Sequence, residues 1–211
     1  MQNTFFISGP TGQLEAAITE PADKPIALAI ICHPHPLQEG TMNNKVVTTL
    51  VKAYELCHAI TIRFNFRGVG ASDGVFDYAK GECDDLRAVM TWAREQYPGL
   101  PIWLAGFSFG SYVAARVAYE DDGVQTLVSI APPVGKDDYY DFAGLRTLQK
   151  PWLVVQGDRD EVVSFDAVMD WWQARSLAPQ QELVVMHETG HFFHRRLIEL
   201  RTIVSEWVRA L

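Results

Sequence analysis

From residue 26 onward the chain alternates short apolar runs with stretches of helical period, and this alternation limits the fold more than any other feature. Ile26 to Cys32, Ile60 to Phe64, Ile102 to Ala105, Val124 to Ile130, Trp152 to Gln156 and Leu183 to Met186 read as strands. Asn44 to His58, Ala79 to Tyr97, Phe109 to Glu120, Phe165 to Arg175 and Phe192 to Leu211 read as helices. Their apolar residues recur at steps of three and four, as Leu86, Val89, Met90, Ala93 and Tyr97 do on one face. Runs such as "IALAIIC" and "LVVQ" are apolar on both faces, which suits a parallel sheet buried between helical layers. The opening "TFFIS-GPTGQ-LEAAITE" reads as two extended runs around a tight turn, hence an antiparallel hairpin at the sheet edge. The pattern predicts an α/β chain with a mostly parallel central sheet, an N-terminal antiparallel hairpin and helices on both faces. At 211 residues, without repeats or linkers, it is expected to form a single domain over residues 1–211. Ala131 to Pro151 lacks periodicity and is expected to be a loop with one short helical turn, too short for a covering lid domain.

Composition then removes several classes of partner. Apolar residues at 48% and charged residues at 21% are ordinary for a globular protein, so neither disorder nor a fibrous class is favoured. A formal net charge of -8 with no Lys/Arg run argues against nucleic acid and anionic membrane surfaces. The apolar run at Ile26 to Cys32 is too short to span a bilayer, and "MQNTFFISGP" lacks the basic and apolar regions of a signal peptide, so a cytoplasmic location is expected. Cys32, Cys57 and Cys83 fit no metal or disulfide spacing and are expected to be buried thiols. His33 and His35, two apart beside prolines and without a nearby carboxylate pair, make a weak metal site; no metal and no cofactor are expected.

The chemistry concentrates at "LAGFSFGSYVAA", where Gly106-Phe107-Ser108-Phe109-Gly110 fits G-x-S-x-G between an apolar strand and an amphipathic segment. In that context a strained strand-to-helix turn lifts the Ser hydroxyl above the sheet edge, and glycine on either side avoids contact with the neighbouring strand and helix. A helix-capping Ser is the structural alternative. A neutral hydroxyl needs a base that is itself oriented by a carboxylate, in the chain order Ser, acid, His. Downstream, "WLVVQGDRDEVV" places Asp158, Asp160 and Glu161 beyond one strand, and "LVVMHETGHFFH" places His187, His191 and His194 beyond the next. The backbone N–H of Phe109 can stabilise an oxyanion; a second donor must come from the loop "CHPHPLQEG", where Pro34 and Pro36 have none, leaving His35 or Leu37.

With "CHPHPLQEGTMNNKVV", "RFNFRGVGASDG", "LAGFSFGSYVA", "GDRDEVV" and "GHFFHRRL" in this order, nearly the whole chain resembles the α/β-hydrolase superfamily. More narrowly it resembles small bacterial lidless members related to dienelactone hydrolases and simple carboxylesterases. The resemblance implies that Asp160, in the pattern G-D-x-D-x-x-V that ends at Val163, is the orienting acid, with Asp158 a turn residue bonded to its own backbone and Glu161 a weaker competitor. It implies that His191 is the base, His187 being at a strand end and His194 inside the following helix. It also implies that Arg63, Asn65 and Arg67 brace the loops around the site, while solvated or structural salt-bridge roles are the preferred reading of each from the residues themselves. This chain departs from the usual family pattern at Glu39-Gly40-Thr41, where a Gly pair is common, so the second oxyanion donor is the least determined part.

The resulting expectation is a serine hydrolase, carboxylesterase-like, that cleaves small ester or thioester substrates through an acyl-enzyme on Ser108. Phe76, Phe107, Phe109, Tyr139, Tyr140, Phe142 and Phe192 fall near the same edge and are candidates for an acyl or aryl pocket or for core. A scaffold that binds a ligand or protein without chemistry, and a peptidase or acyltransferase using the same residues, are the alternatives. Self-association into a homodimer stays open.

Overall fold

The computed structural model describes residues 4–137, 139–176 and 178–211. Met1, Gln2 and Asn3 of the opening stretch and Asp138 of the Ala131 to Pro151 loop lie outside the described residues. β1 (Thr4–Gly9) and β2 (Gly12–Thr19) form the expected hairpin, with β1 at the edge of one eight-stranded sheet. β3 (Ala27–Cys32), β4 (Ala59–Phe64), β5 (Ile102–Phe107), β6 (Val124–Ile130), β7 (Trp152–Gly157) and β8 (Gln181–Met186) complete it in the order β1-β2-β4-β3-β5-β6-β7-β8. β2 joins β4 antiparallel, and every later pairing is parallel.

The strand order turns back between β3 and β5: the chain runs from β3 to β4 on one side, then returns to place β5 on the other side of β3. Loops leaving β3 and β5 therefore diverge and open a crevice at the carboxyl ends of the strands, which is where ligands bind in open α/β sheets.

Among the described residues the five α-helices are α1 (Lys45–Glu55), α2 (Lys80–Gln96), α3 (Phe109–Glu120), α4 (Phe165–Gln173) and α5 (Leu197–Arg209). Strand alternation divides the interior into two apolar layers. In β3, Leu28, Ile30 and Cys32 face the layer that also holds Leu86 of α2, Val113 of α3 and Trp171 of α4. Ala27, Ala29 and Ile31 face the other layer, with Val47 and Leu50 of α1 and Leu200 and Val204 of α5. Both faces of the central strands are thus buried, as the continuous apolar runs require. All three cysteines are free and buried. Among the described residues, no helix is long and apolar enough to cross a membrane. The Ala131 to Pro151 connection contains one short helical turn, Gly144–Thr147.

Two helix expectations overshoot. The last helix starts at Leu197 rather than Phe192, because Phe193 (φ 52°) and Arg195 (φ 65°) take left-handed backbone that interrupts a right-handed helix. That turn drives the Phe193 ring into the α1/α5 layer, a gain that local periodicity does not report. The first helix ends at Glu55 rather than His58, which has φ 56° and leads directly into β4.

Candidate active site

Ser108 follows β5 and precedes α3 with φ 51° and ψ -121°, a conformation disfavoured for any residue with a Cβ. The turn is clamped. Its N–H donates to the Ile130 carbonyl (2.8 Å), and its own carbonyl accepts from the Ser111 N–H (2.9 Å) and hydroxyl (2.7 Å). The Ser108 side chain makes no capping bond to the helix, which removes the structural reading of this residue. A Cβ on Gly106 would lie 2.2 Å from the Gly110 carbonyl oxygen, so the strand and helix can meet this closely only with glycine.

The loops after β7 and β8 meet beside it. His191 Nδ1 lies 2.8 Å from Asp160 Oδ2, with both side chains essentially buried. Asp160 Oδ1 accepts from the N–H groups of Val162 (2.9 Å) and Val163 (2.8 Å), and Oδ2 also accepts from Gln156 Nε2 (2.9 Å). Burial alone would raise the Asp160 carboxyl pKa; the hydrogen bond and charge of His191, then the two backbone donors, outweigh it and hold the group below its ordinary value. Because Asp160 is an acceptor from Nδ1–H, Nε2 is the basic nitrogen of a neutral His191. Ser108 and His191 line the same cavity of about 70 Å³, together with Pro34, His35, Gln38, Asn44, Val162 and Phe192. A larger cavity of about 460 Å³, lined by Tyr78, Cys83, Arg87, Tyr112 and Tyr139 among others, contains none of these three residues.

The competing candidates are employed elsewhere. Asp158 is not bonded to its own backbone as expected: its carboxylate takes the Glu188 N–H (2.7 Å) and faces His187 Nδ1 (3.0 Å), tying the two loops together. The β8 loop returns close enough for that carboxylate to reach across, so the longer bond displaces the local turn. Glu161 Oε2 accepts the backbone N–H of His191 (3.1 Å) and so steadies the loop. The His187 side chain is largely exposed, and His194 is exposed in the turn before α5 rather than inside a helix.

On the opposite wall, His35 Nδ1 accepts the Leu37 N–H (3.1 Å), which leaves the His35 N–H as the uncommitted one of the two sequence candidates. Phe109 opens α3, and its N–H belongs to the first turn, which has no intrahelical acceptor. With Nδ1 accepting, His35 Nε2 carries the hydrogen and donates to Tyr139 Oη (3.0 Å), which in turn donates to Tyr140 Oη (3.2 Å). Partial burial lowers the His35 pKa, against Asp137 and with Lys136, which favours this neutral tautomer. The His35 ring packs on Phe109 (5.2 Å between centroids) and Phe76 (4.9 Å), so the two segments that offer N–H groups are in side-chain contact.

His33 spends both nitrogens on backbone, Nδ1–H to the Pro34 carbonyl (2.6 Å) and Nε2 from the Phe66 N–H (3.0 Å). Burial, the main cause, pushes its pKa down to about 4. Arg63 Nη1 donates to the Met42 carbonyl (2.8 Å) and Asn65 Oδ1 accepts from the Met42 N–H (2.8 Å), whereas Arg67 takes the structural alternative and pairs with buried Asp85 (2.7 Å). The first two hold the segment that leads to Asn44, whose side chain caps α1 at the cavity wall. Of the aromatic candidates only Phe192 lines the Ser108 cavity; Phe107 and Phe109 are core, and Tyr139, Tyr140 and Phe142 form a cluster behind His35.

Gln156, Gln38 and Asn44 were not candidates from the sequence. For Gln156 a signal existed: a lone amide near the end of the otherwise apolar "WLVVQG". Gln38 and Asn44 sit in polar loop sequence where nothing distinguishes them.

Comparison with known proteins places the chain in a family. A family model described as an alpha/beta hydrolase domain matches residues 40–210. The chain is similar to a structure of an alpha-beta serine hydrolase homologue from Coxiella burnetii, with 50% identity, TM-score 0.91, and coverage of 98% of this chain and 97% of the other. It is similar to a serine hydrolase without a lid from Xanthomonas campestris, with 44% identity, TM-score 0.90, and coverage of 99% and 94%. An uncharacterised protein of Rickettsia prowazekii is 32% identical over 210 residues, 97% of this chain and 87% of that protein. The chain belongs to the α/β-hydrolase domain family, as a lidless α/β serine hydrolase homologue.

Proposed function

We propose that the protein hydrolyses small esters or thioesters through an acyl-enzyme on Ser108. The observation that carries this reading is the buried His191–Asp160 hydrogen bond (2.8 Å) on the wall of the cavity that also holds the strained Ser108. Ser108 Oγ forms the bond to the carbonyl carbon while its proton passes to His191 Nε2. The imidazolium is held through Nδ1–H by Asp160. The N–H groups of Phe109 and His35 donate to the carbonyl oxygen as negative charge develops on it. Collapse breaks the bond to the alcohol or thiol, which leaves with the proton from His191, and water releases the acid by the reverse sequence. The likeness to serine hydrolases of 50% and 44% identity supports the same reaction class.

The cavity beside Ser108, about 70 Å³, has roughly half the ~150 Å³ volume known to hold a benzene ring, so it suits an acyl group of a few carbons. With no lid to open, turnover should follow dissolved substrate. A panel of p-nitrophenyl acetate, butyrate and octanoate, with an acyl thioester and an amide, tests both points. Acetate and butyrate are expected to give kcat/KM at least about tenfold above octanoate, with no jump in rate when micelles form, since excess methylenes lack room in the cavity. Failure to turn over any ester or thioester would remove the proposal; preference for octanoate would remove the short-acyl assignment.

A further inference from the structure

Gln156 is fully buried in β7, where it lies opposite Val185 of β8 and follows Val154 and Val155. An amide there is costly, because each of its polar atoms loses water. Among the described residues its Oε1 has no hydrogen-bond partner, whereas a Val or Leu would fill the position without that penalty. What the amide provides is its Nε2, which donates to Asp160 Oδ2 at 2.9 Å, the same oxygen that faces His191 Nδ1 at 2.8 Å. The amide orientation follows from chemistry: a carboxylate only accepts, so the NH₂ group must face it. Asp160 stands on a turn, and its two backbone donors hold Oδ1. Gln156, from the strand beneath, is among the described residues the donor on Oδ2 other than the base.

We propose that Gln156 is a positioning residue for the base: it fixes Asp160 Oδ2 and withdraws part of the charge that this oxygen offers to His191. The inference rests on the triad reading above. Without the donor, Oδ2 carries more charge toward the imidazole, His191 holds its proton more tightly, and the free enzyme becomes competent only at higher pH. The other charged groups around the pair are unaltered by a change at 156. On the β7 loop these are Glu161, bonded to the His191 N–H, Asp158 facing His187, and Arg159, whose Nη2 is 3.5 Å from Glu188. From the turn before α5, Arg196 donates to the His187 carbonyl (2.8 Å), and across the cavity stands His35.

The test is kcat/KM for p-nitrophenyl acetate between pH 5 and 10 in the wild type and in Gln156→Met, which keeps the volume and removes the donor. The acidic limb is expected to move up by about half a pH unit or more, and plateau kcat to fall about tenfold with KM little changed, as loss of a hydrogen bond to a charged group would produce. Gln156→Leu serves if the Met variant does not fold; it also removes the donor on Oδ2 and moves the limb the same way. A limb that superimposes on the wild type in a folded variant overturns the inference, even if thermal stability drops. A wild type that hydrolyses no ester would instead remove the triad reading itself.

Discussion

Ser108→Ala and His191→Ala are each expected to lower kcat/KM for p-nitrophenyl acetate by about 10⁴-fold or more, and the double variant should be no worse than either single one. In the proposed mechanism the hydroxyl and the imidazole act on one proton in one step, so removing either removes the step. Non-additivity separates this from two independent structural losses, whose effects would multiply. Neither change should unfold the chain. Ser108 makes no side-chain cap, and the buried Asp160 carboxylate keeps Gln156 and the Val162 and Val163 N–H groups when His191 is truncated. Matching circular dichroism of the variants beside the rate measurements checks this. Multiplicative losses, or a double variant that keeps measurable burst acylation, would contradict the assignment.

Gly110→Ala is the second large effect, and it acts on the scaffold. A Cβ there would stand 2.4 Å from the Cys32 carbonyl oxygen and 2.4 Å from that of His33. Both are backbone atoms. β3 is held by parallel ladders to β4 and β5, so it cannot retreat without breaking pairing in the middle of the sheet. Overpacking of this kind costs about 3 kcal/mol, equivalent to roughly 6–12 °C in Tm for a chain of this size. The first turn of α3, with the Phe109 N–H, would also move relative to the loop after β3 that carries His35. Gly99→Ala is the control: at φ 86° it carries backbone strain, but no atom lies within 4 Å of its Cβ position. Differential scanning calorimetry of the two variants should show the larger loss at Gly110. Equal losses would mean that backbone strain, rather than the close approach of α3 to β3, sets the cost.

Much of this architecture is readable from the sequence for a physical reason: strands buried on both faces must be apolar throughout, and helices on a sheet must be apolar at steps of three and four. The site is readable to the extent that it is built from strand ends. Ser108, Asp160 and His191 each follow one of the parallel strands of a single sheet, so their loops emerge at one edge. Choosing Asp160 over Asp158 and His191 over His187 needed the family pattern, because local sequence places each pair in the same loop. What stayed hidden depends on contacts between distant segments. The Tyr139 hydroxyl that meets His35 Nε2 is 104 residues away, and that bond, with the Leu37 N–H on Nδ1, sets the tautomer of His35. Asp158 looked like a local turn former because its true acceptor role reaches 30 residues on, to Glu188. Phe193 broke the expected helix because burial of one ring outweighed periodicity in the segment around it.

The most direct measurement is peptide mapping after exposure of the folded protein to a fluorophosphonate, which phosphonylates an activated hydroxyl with loss of fluoride. The predicted result is a single adduct on Ser108, formed at a rate that falls by orders of magnitude in His191→Ala. Absence of an adduct, attachment at a different residue, or an unchanged rate without His191 would contradict the account.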